Sequence, residues 1–387
     1  MELHPSVAAL LDRCVTFRRQ LHQIPETCFE ERKTQAYILK VLERLEPDEL
    51  TRLAKTGAKA VFYAQKPEST IAFRADIDGL NTSECNETGY VSTHPGKMHA
   101  CGHDGHTAML LTLATLIVGN RGALKHNVVL LFQPAEEGQN GAKFMIQDGA
   151  LEKPKVDKIY GIHLWPTIDK GKLGVRWGPM MAQTLEFDVI VHGKSAHGAS
   201  PQLGVDAIVA AAELITFVQA LITRNVDPHQ DVLLTIGKIN GGVARNIIAD
   251  TVELNGTLRA FNSAVFADLG KRMRAALQGL EIVTGAKFEF ISRMHYPCVD
   301  NPRPLVEEFY RLVGMEDTVV ADPAMAAEDF ACYQQETPGM FLFLGVRGGR
   351  NSQPLHSSRF DFDEDVLLTG VEVYRRLLSL DPVGTAG

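Results

Sequence analysis

The chain has little that would tie it to an oxidising compartment, a membrane or a nucleic acid. Its 387 residues include six cysteines, at positions 14, 28, 85, 101, 298 and 332. So few, without regular spacing, make no disulfide framework in a chain this long, and a reducing cytoplasm is the simplest expectation. No run of like charges forms a tail, and the formal net charge is −8. Phosphates would not be neutralised in bulk, so neither nucleic acid nor an anionic membrane surface is an expected partner. No apolar stretch reaches the roughly 18 residues that a membrane span needs. The longest, 207-AIVAAAELITFVQALI-222, is interrupted by Glu213 and Gln219 and reads as a buried helix. The start, MELHPSVAALLDRC, lacks a basic region followed by a continuous apolar one, so no secretory signal is expected there.

The periodicity that is present divides the chain. Residues 6–23 and 31–46 have apolar spacing near 3.6 and read as amphipathic helices. Short apolar runs follow at 59–65, 70–76, 128–134 and 157–165, with helix patterns between them at 104–118 and 141–148. Alternation of this kind indicates an α/β layer with a largely parallel sheet. Near Gly178 the pattern changes. Strand patterns at 185–194, 232–239, 250–261 and 286–296 enclose helices at about 204–224 and 263–280. That order, β-α-β-β-α-β, is the ferredoxin-like signature. An apolar strand at 340–346 and a helix at 363–379 then restore the first pattern. The expected fold is therefore α/β: a discontinuous first domain of residues 1–180 plus 298–387, with a ferredoxin-like domain of residues 181–297 inserted into it.

The stretch 98-MHACGHDGHTAML-110 places three histidines, a cysteine and an aspartate within eight positions. Further metal-type residues lie in 134-PAEEG-138, 161-GIHLWP-166 and 354-PLHSS-358. Glu136, Glu137, His163 and His356 each fall at or beyond the end of an expected apolar strand. In open α/β sheets the binding crevice lies at the carboxyl ends of the strands, so residues distant in sequence meet there. Asp76 and Asp78, after the strand at 70–75, point to the same rim. Mixed thiolate, imidazole and carboxylate donors suit zinc, manganese or cobalt at a hydrolytic centre. The CxxC-like spacing of a closed structural zinc site is absent. Five donors exceed the needs of one tetrahedral ion and suggest two divalent ions about 3.5–4 Å apart. One of two adjacent glutamates can then bind metal while the other moves protons. Plainer readings stand beside these. His163 next to Trp165 could be a core histidine, Cys101 a small apolar residue, and His106 a packing or hydrogen-bonding partner of the site. Cys14, Cys28, Cys85, Cys298 and Cys332 read as packing residues.

On these blocks the chain resembles, along nearly its full length, the di-metal amidohydrolases. That family includes hippurate hydrolases, aminoacylases, plant indole-acetyl-amino-acid hydrolases and N-acetyl-diaminopimelate deacetylases. The blocks, in order, are FRRQLHQIPE, FRADIDGL, MHACGHDGHTAML, FQPAEEG, GIHLWP, GKSAHGASPQLGVDAI and PLHSSRF, supported by GGVARNIIAD, GTLRAF and MAAEDFACY. The resemblance implies metal ligands at Cys101, His103, Glu137, His163 and His356, with Glu136 as general base. It implies an inserted lid that supplies His197 and the substrate-carboxylate contacts Asn246 and Arg259, and that carries a homodimer interface, a tetramer being the other option. Asp78 of 76-DID-78 corresponds to the aspartate that orients a ligand. Two segments depart from the family: 79-GLN-81 stands where Ala-Leu-Pro is usual, and 201-PQ-202 where Pro-His is common.

The expected function is metal-dependent hydrolysis of an N-acyl amino acid, with two ions per subunit, manganese or zinc, cobalt or nickel being alternatives. A di-metal exopeptidase acting on dipeptides is the competing enzyme, since the same centre cleaves either amide. A metal-holding scaffold without activity and a redox sensor using Cys101 are the readings outside that class. Gly178, Pro179 and Pro297 mark hinge ends for a lid that closes.

Overall fold

The structure is a computed structural model and describes residues 1–349 and 353–381; the rest of the segment 298–387 lies outside the described residues. Contacts group the chain into two units. The first takes Met1–Met180, Asp300–Asp322 and the chain from Asp329 onward; the second takes Met181–Val299 and Pro323–Glu328.

The first unit is built on an eight-stranded, mostly parallel sheet. Its order is Glu49–Leu53, Gly57–Phe62, Asn127–Gln133, Thr70–Asp76, Lys158–Asp169, Gly339–Arg347, Leu173–Val175 and Thr318–Val320. The four strands from Asn127–Gln133 to Gly339–Arg347 run parallel. Their carboxyl ends therefore open on one side. Gly57–Phe62, Thr70–Asp76 and Asn127–Gln133 are buried at every position, as strands covered on both faces must be. The helix His103–Val118, apolar almost all round, lies on this sheet and is itself packed against Leu11–His22 and Leu367–Leu377.

Some expectations shift in detail. The helix expected at 6–23 is two helices, Pro5–Ala8 and Leu11–His22. The last helix opens with a 3-10 turn, Glu364–Val366, before Leu367–Leu377. The short strands Leu173–Val175 and Thr318–Val320 have three residues each, too few for a period to register.

The second unit runs Gln183–His192, Ala207–Asn225, Val232–Gly241, Thr251–Ala260, Ser263–Thr284 and Lys287–Tyr296, with two short strands added. Its four long strands form an antiparallel sheet ordered Val232–Gly241, Thr251–Ala260, Gln183–His192, Lys287–Tyr296. Both helices start at a side-chain cap: Asp206 accepts the N–H groups of Ile208 and Val209, and Asn262 those of Ala264 and Val265. The helix expected to be buried is buried on one face only. Ala207, Ala210, Ala211, Leu214, Val218 and Leu221 meet the unit's core, while Ile208, Val209 and Phe217 are exposed. By length and composition this helix could cross a membrane; its buried residues recur near every 3.6 positions, the stripe of a helix seated on a sheet.

Candidate metal centre

Three loops and one strand at the carboxyl side of the parallel sheet bring the expected ligands together. Cys101 and His103 sit at the start of the helix His103–Val118. The chain enters that helix through Gly102, whose φ of 89° disfavours any side chain; a Cβ there would also lie 3.1 Å from Leu164. Glu136 and Glu137 follow the strand Asn127–Gln133 in a kinked turn. That turn closes at Gly141, where a Cβ would fall 1.6 Å from the Pro134 carbonyl oxygen. His163 lies within Lys158–Asp169, and His356 beyond Gly339–Arg347, its N–H donating to Ala100 O at 2.8 Å.

The donor atoms form three overlapping groups, each within 4.8 Å: Cys101, His103 and His163; Cys101, Glu137 and His356; and His103, Glu136 and Glu137. Cys101 Sγ is 3.5 Å from His163 Nε2. His356 Nε2 is 3.2 Å and His103 Nε2 4.0 Å from Glu137 Oε1. A cation bonded at about 2.0–2.3 Å to tetrahedral ligands spaces them roughly 3.3–3.8 Å apart. The observed separations bracket that range. His103 Nε2 is also buried without a hydrogen-bond partner among the described residues. An atom left so would cost about 1–3 kcal/mol unless a ligand met it. The residues present therefore fit two shared cations, with Cys101 common to two of the groups.

Backbone carbonyls fix the ring tautomers. His103 Nδ1 donates to Asp78 O at 3.0 Å, with Asp78 Oδ1 at 3.2 Å, and this aims Nε2 at the centre. His163 Nδ1 donates to Leu164 O at 2.7 Å, which leaves its Nε2 facing Cys101. His106 is not in the inner set. Its Nε2 accepts the Leu164 N–H at 2.9 Å while Nδ1 lies 2.6 Å from Asp76 Oδ1, so it holds the strand at His163. Such supporting hydrogen bonds are worth about 10–100-fold in metal affinity.

The field of the site favours positive charge. Burial opposes protonation of His103, yet Asp76, Asp78 and Glu137 carry its pKa up to about 10. Burial, then Glu137, Glu136 and Asp76, push the Cys101 thiol well above its ordinary value. A divalent cation held there would invert that balance by favouring the thiolate form of Cys101. Beneath the centre, Asp104 accepts from Arg18 Nε at 2.8 Å and pairs with His22 Nδ1 at 2.7 Å. Arg18 also reaches Asp361 at 2.8 Å. The block FRRQLHQIPE thus anchors the first turn of the ligand helix.

Cys28, read from the sequence as a packing residue, donates instead to Glu137 O at 3.2 Å and lies 3.4 Å from Asp78 Oδ2. Glu31 reaches the same loop, and nothing in the residue types around it signals that contact.

In the second unit, His197 and Asn246 stand together. The strand Ala196–His197 pairs with Ile247–Ile248, and Gly198 N–H donates to Asn246 O at 2.8 Å. His197 is exposed, and its Nδ1 accepts the Ala199 N–H at 3.1 Å. A neutral ring then carries its proton on Nε2, where it can be donated. Arg259 lies apart on Thr251–Ala260, half-buried, with Nη1 donating to Met325 O at 2.8 Å.

Residues 72–380 match the family described as Peptidase family M20/M25/M40. The chain is 37% identical over 372 residues to the N-acetyldiaminopimelate deacetylase of Leuconostoc citreum (strain KM20), covering 94% of this chain and 95% of that one. It is 38% identical over 365 residues to the N-acetyl-L-cysteine deacetylase of Bacillus subtilis (strain 168), covering 94% and 86%. Among solved structures it resembles the YXEP protein of Bacillus subtilis, described as a dinuclear metal binding peptidase from the M20 family. The TM-score is 0.82 at 31% identity, over 97% of this chain and 100% of that one.

Proposed function

The chain belongs to peptidase family M20/M25/M40 and is a hydrolase of amide bonds, and we propose that it cleaves N-acyl amino acids into a carboxylic acid and a free amino acid. The observation that carries the proposal is the cluster of Cys101, His103, Glu137, His163 and His356 with Glu136 beside it. On this reading the first five residues hold two divalent ions, manganese or zinc. Bound there, the ions would acidify water and polarise the scissile carbonyl.

The protein's own groups account for the remaining steps. Glu136 accepts a proton from the attacking water as the new C–O bond forms. It returns that proton to the leaving nitrogen as the C–N bond breaks. Glu136 is buried, which shields the transfer from bulk solvent. His197 donates from Nε2 to the developing oxyanion, a contribution of ~3–4 kcal/mol. Arg259 and Asn246 bind the substrate carboxylate, Arg259 through its planar fork. Asp78 keeps His103 in the ligating tautomer.

In this proposal residues 181–297, the bulk of the second unit, are a ferredoxin-like lid that also forms a homodimer. The sheet edges Val232–Gly241 and Lys287–Tyr296, with Phe217, Ile239, Ile282 and Val283 exposed, support an interface there.

The test is a pooled panel of N-acetyl, N-benzoyl and indole-acetyl amino acids with several dipeptides, incubated with and without manganese or zinc and followed by mass spectrometry. Metal-dependent loss of acyl amino acids, abolished in Glu136→Ala, is the expected result. Loss of dipeptides alone would replace this reading with the exopeptidase.

A further inference from the structure

The loop from Pro134 to Ala142 carries Glu136 and Glu137 on an unfavourable backbone. Ala135 has φ 56° and ψ 41°, in the left-handed region that a Cβ disfavours; Asn140, at φ 55° and ψ 52°, is of a residue type that tolerates it. Three carboxylates grip its backbone N–H groups: Glu31 at Ala135 (2.9 Å), Asp78 at Glu137 (3.0 Å) and Asp329 at Ala142 (2.9 Å). Asp78 also serves His103, and Asp329 binds Arg74 and Gln133. Glu31 touches none of the expected ligands.

Glu31 occupies the N-cap position of the helix Arg32–Glu43, and its carbonyl accepts the Gln35 N–H, yet its side chain makes no cap hydrogen bond. Glu26 serves that helix instead, accepting from Lys33 N–H at 2.8 Å and Thr34 N–H at 3.0 Å. The Glu31 side chain turns away from its own helix. Thr56 Oγ1 donates to one oxygen at 2.5 Å, and the other accepts the Ala135 N–H. The residue is fully buried. A buried carboxyl that ignores the helix it begins, is oriented by a dedicated hydroxyl and ends on the residue before Glu136 has a local reason to be there.

We propose that Glu31 is a positioning residue for the Glu136–Glu137 loop: its hydrogen bond to the Ala135 N–H holds that residue left-handed and so aims both glutamates. The inference rests on the reading of Glu136 as general base. Burial pushes the Glu31 carboxyl up to about 7, so both protonation states occur near neutral pH. Either state, like a glutamine amide, offers an oxygen to Ala135 and can share a hydrogen with Thr56. The hydrogen bond, not the charge, is the working feature.

The experiment compares Glu31→Ala, Glu31→Gln and Thr56→Val in the full-length, metal-loaded protein. Hydrogen–deuterium exchange of the segment 133–142 is followed beside metal content, kcat and KM. In Glu31→Ala, exchange should rise about tenfold or more in that segment alone. Two ions should remain bound, kcat should fall about 10–100-fold and KM should hold within about twofold, as a misplaced base predicts. Glu31→Gln should restore kcat to within a few-fold and return exchange to the wild-type pattern. If Glu31→Ala does not fold, Thr56→Val carries the test, with a several-fold loss of kcat and faster exchange at Ala135.

Unchanged exchange in the segment, or a Gln variant as impaired as Ala, would overturn the proposal. The two readings fail separately. A protein that hydrolyses no acyl amino acid yet shows the exchange pattern would keep Glu31's role at the loop and lose the assigned reaction. A Glu136→Gln variant with near-native turnover would remove the base but leave the exchange result standing.

Discussion

Around Cys101 the side chains are mostly buried, and several are held by more than one hydrogen bond; around His197 they stand at the surface on a two-residue ribbon. His103 is 1% exposed, with both Asp78 O and Asp78 Oδ1 on its Nδ1. The His197 ring has one hydrogen bond among the described residues, from Ala199 N–H. A buried constellation tolerates little loss, because each group removed strands another in low dielectric. An exposed one can be cut without unfolding anything. Variants that strand a buried charge in the first unit should therefore lose stability, isosteric ones there should lose chemistry with the metals kept, and the second unit's should change rate or affinity alone.

The largest effect should come from Glu136→Gln, which on the proposed mechanism removes the proton acceptor while keeping the shape. A fall in kcat of about 100–10,000-fold is expected, with two ions still counted by elemental analysis. Near-native turnover with metals bound would show that the base lies elsewhere. Next is Asp104→Asn, which breaks a buried charge cluster rather than the chemistry. Burial alone would raise the Asp104 carboxyl, but Arg18 and His22 hold it well below its ordinary value of 3.8. A depressed carboxylate contributes stability above its unfolded pKa and loses it as pH falls through the folded one. Metal-free Asp104→Asn should thus be about 3–5 kcal/mol less stable at pH 7, with the gap to wild type closing below pH 4. Denaturant titrations across that range decide it. A gap independent of pH would mean the loss is one of packing and not of charge.

What the sequence makes legible follows the same division between isolated signals and assembled ones. Cys101, His103 and His163 are uncommon residue types at the ends of apolar runs, so chemistry and strand period point to one rim. The apolar runs inside Thr70–Asp76 and Asn127–Gln133 announce a covered sheet in the same way. Glu31 announces nothing. A glutamate opening an amphipathic helix reads as that helix's own cap or as surface, and its true partner lies about a hundred positions on, at Ala135. Arg18 and His22 sit in an ordinary-looking helix until the fold sets Asp104 beside them. Cys28 reads as a small apolar residue because only Asp78 and the Glu137 carbonyl make it anything else. Residues whose role is to hold another residue carry no local pattern, since the pattern is the contact.

The second unit's residues supply the smaller effects. His197→Ala should lower kcat about 100–1,000-fold if the ring donates to the oxyanion, with the melting temperature and metal content unchanged. A matching loss of stability would place His197 among structural residues and erase the contrast between the two regions. Arg259→Lys is the finest probe. A lysine keeps the charge but exchanges a rigid fork for a point donor, so one of two hydrogen bonds to a carboxylate is lost. KM should rise on the order of tenfold, as for about one charge-assisted hydrogen bond, with kcat within about twofold. The control is an N-acyl amino amide, which has no carboxylate. Wild type and Arg259→Lys should treat that compound alike. If the variant is impaired equally on both substrates, the guanidinium acts through its bond to Met325 O and not on the substrate, and Arg259 joins the residues that only hold others in place.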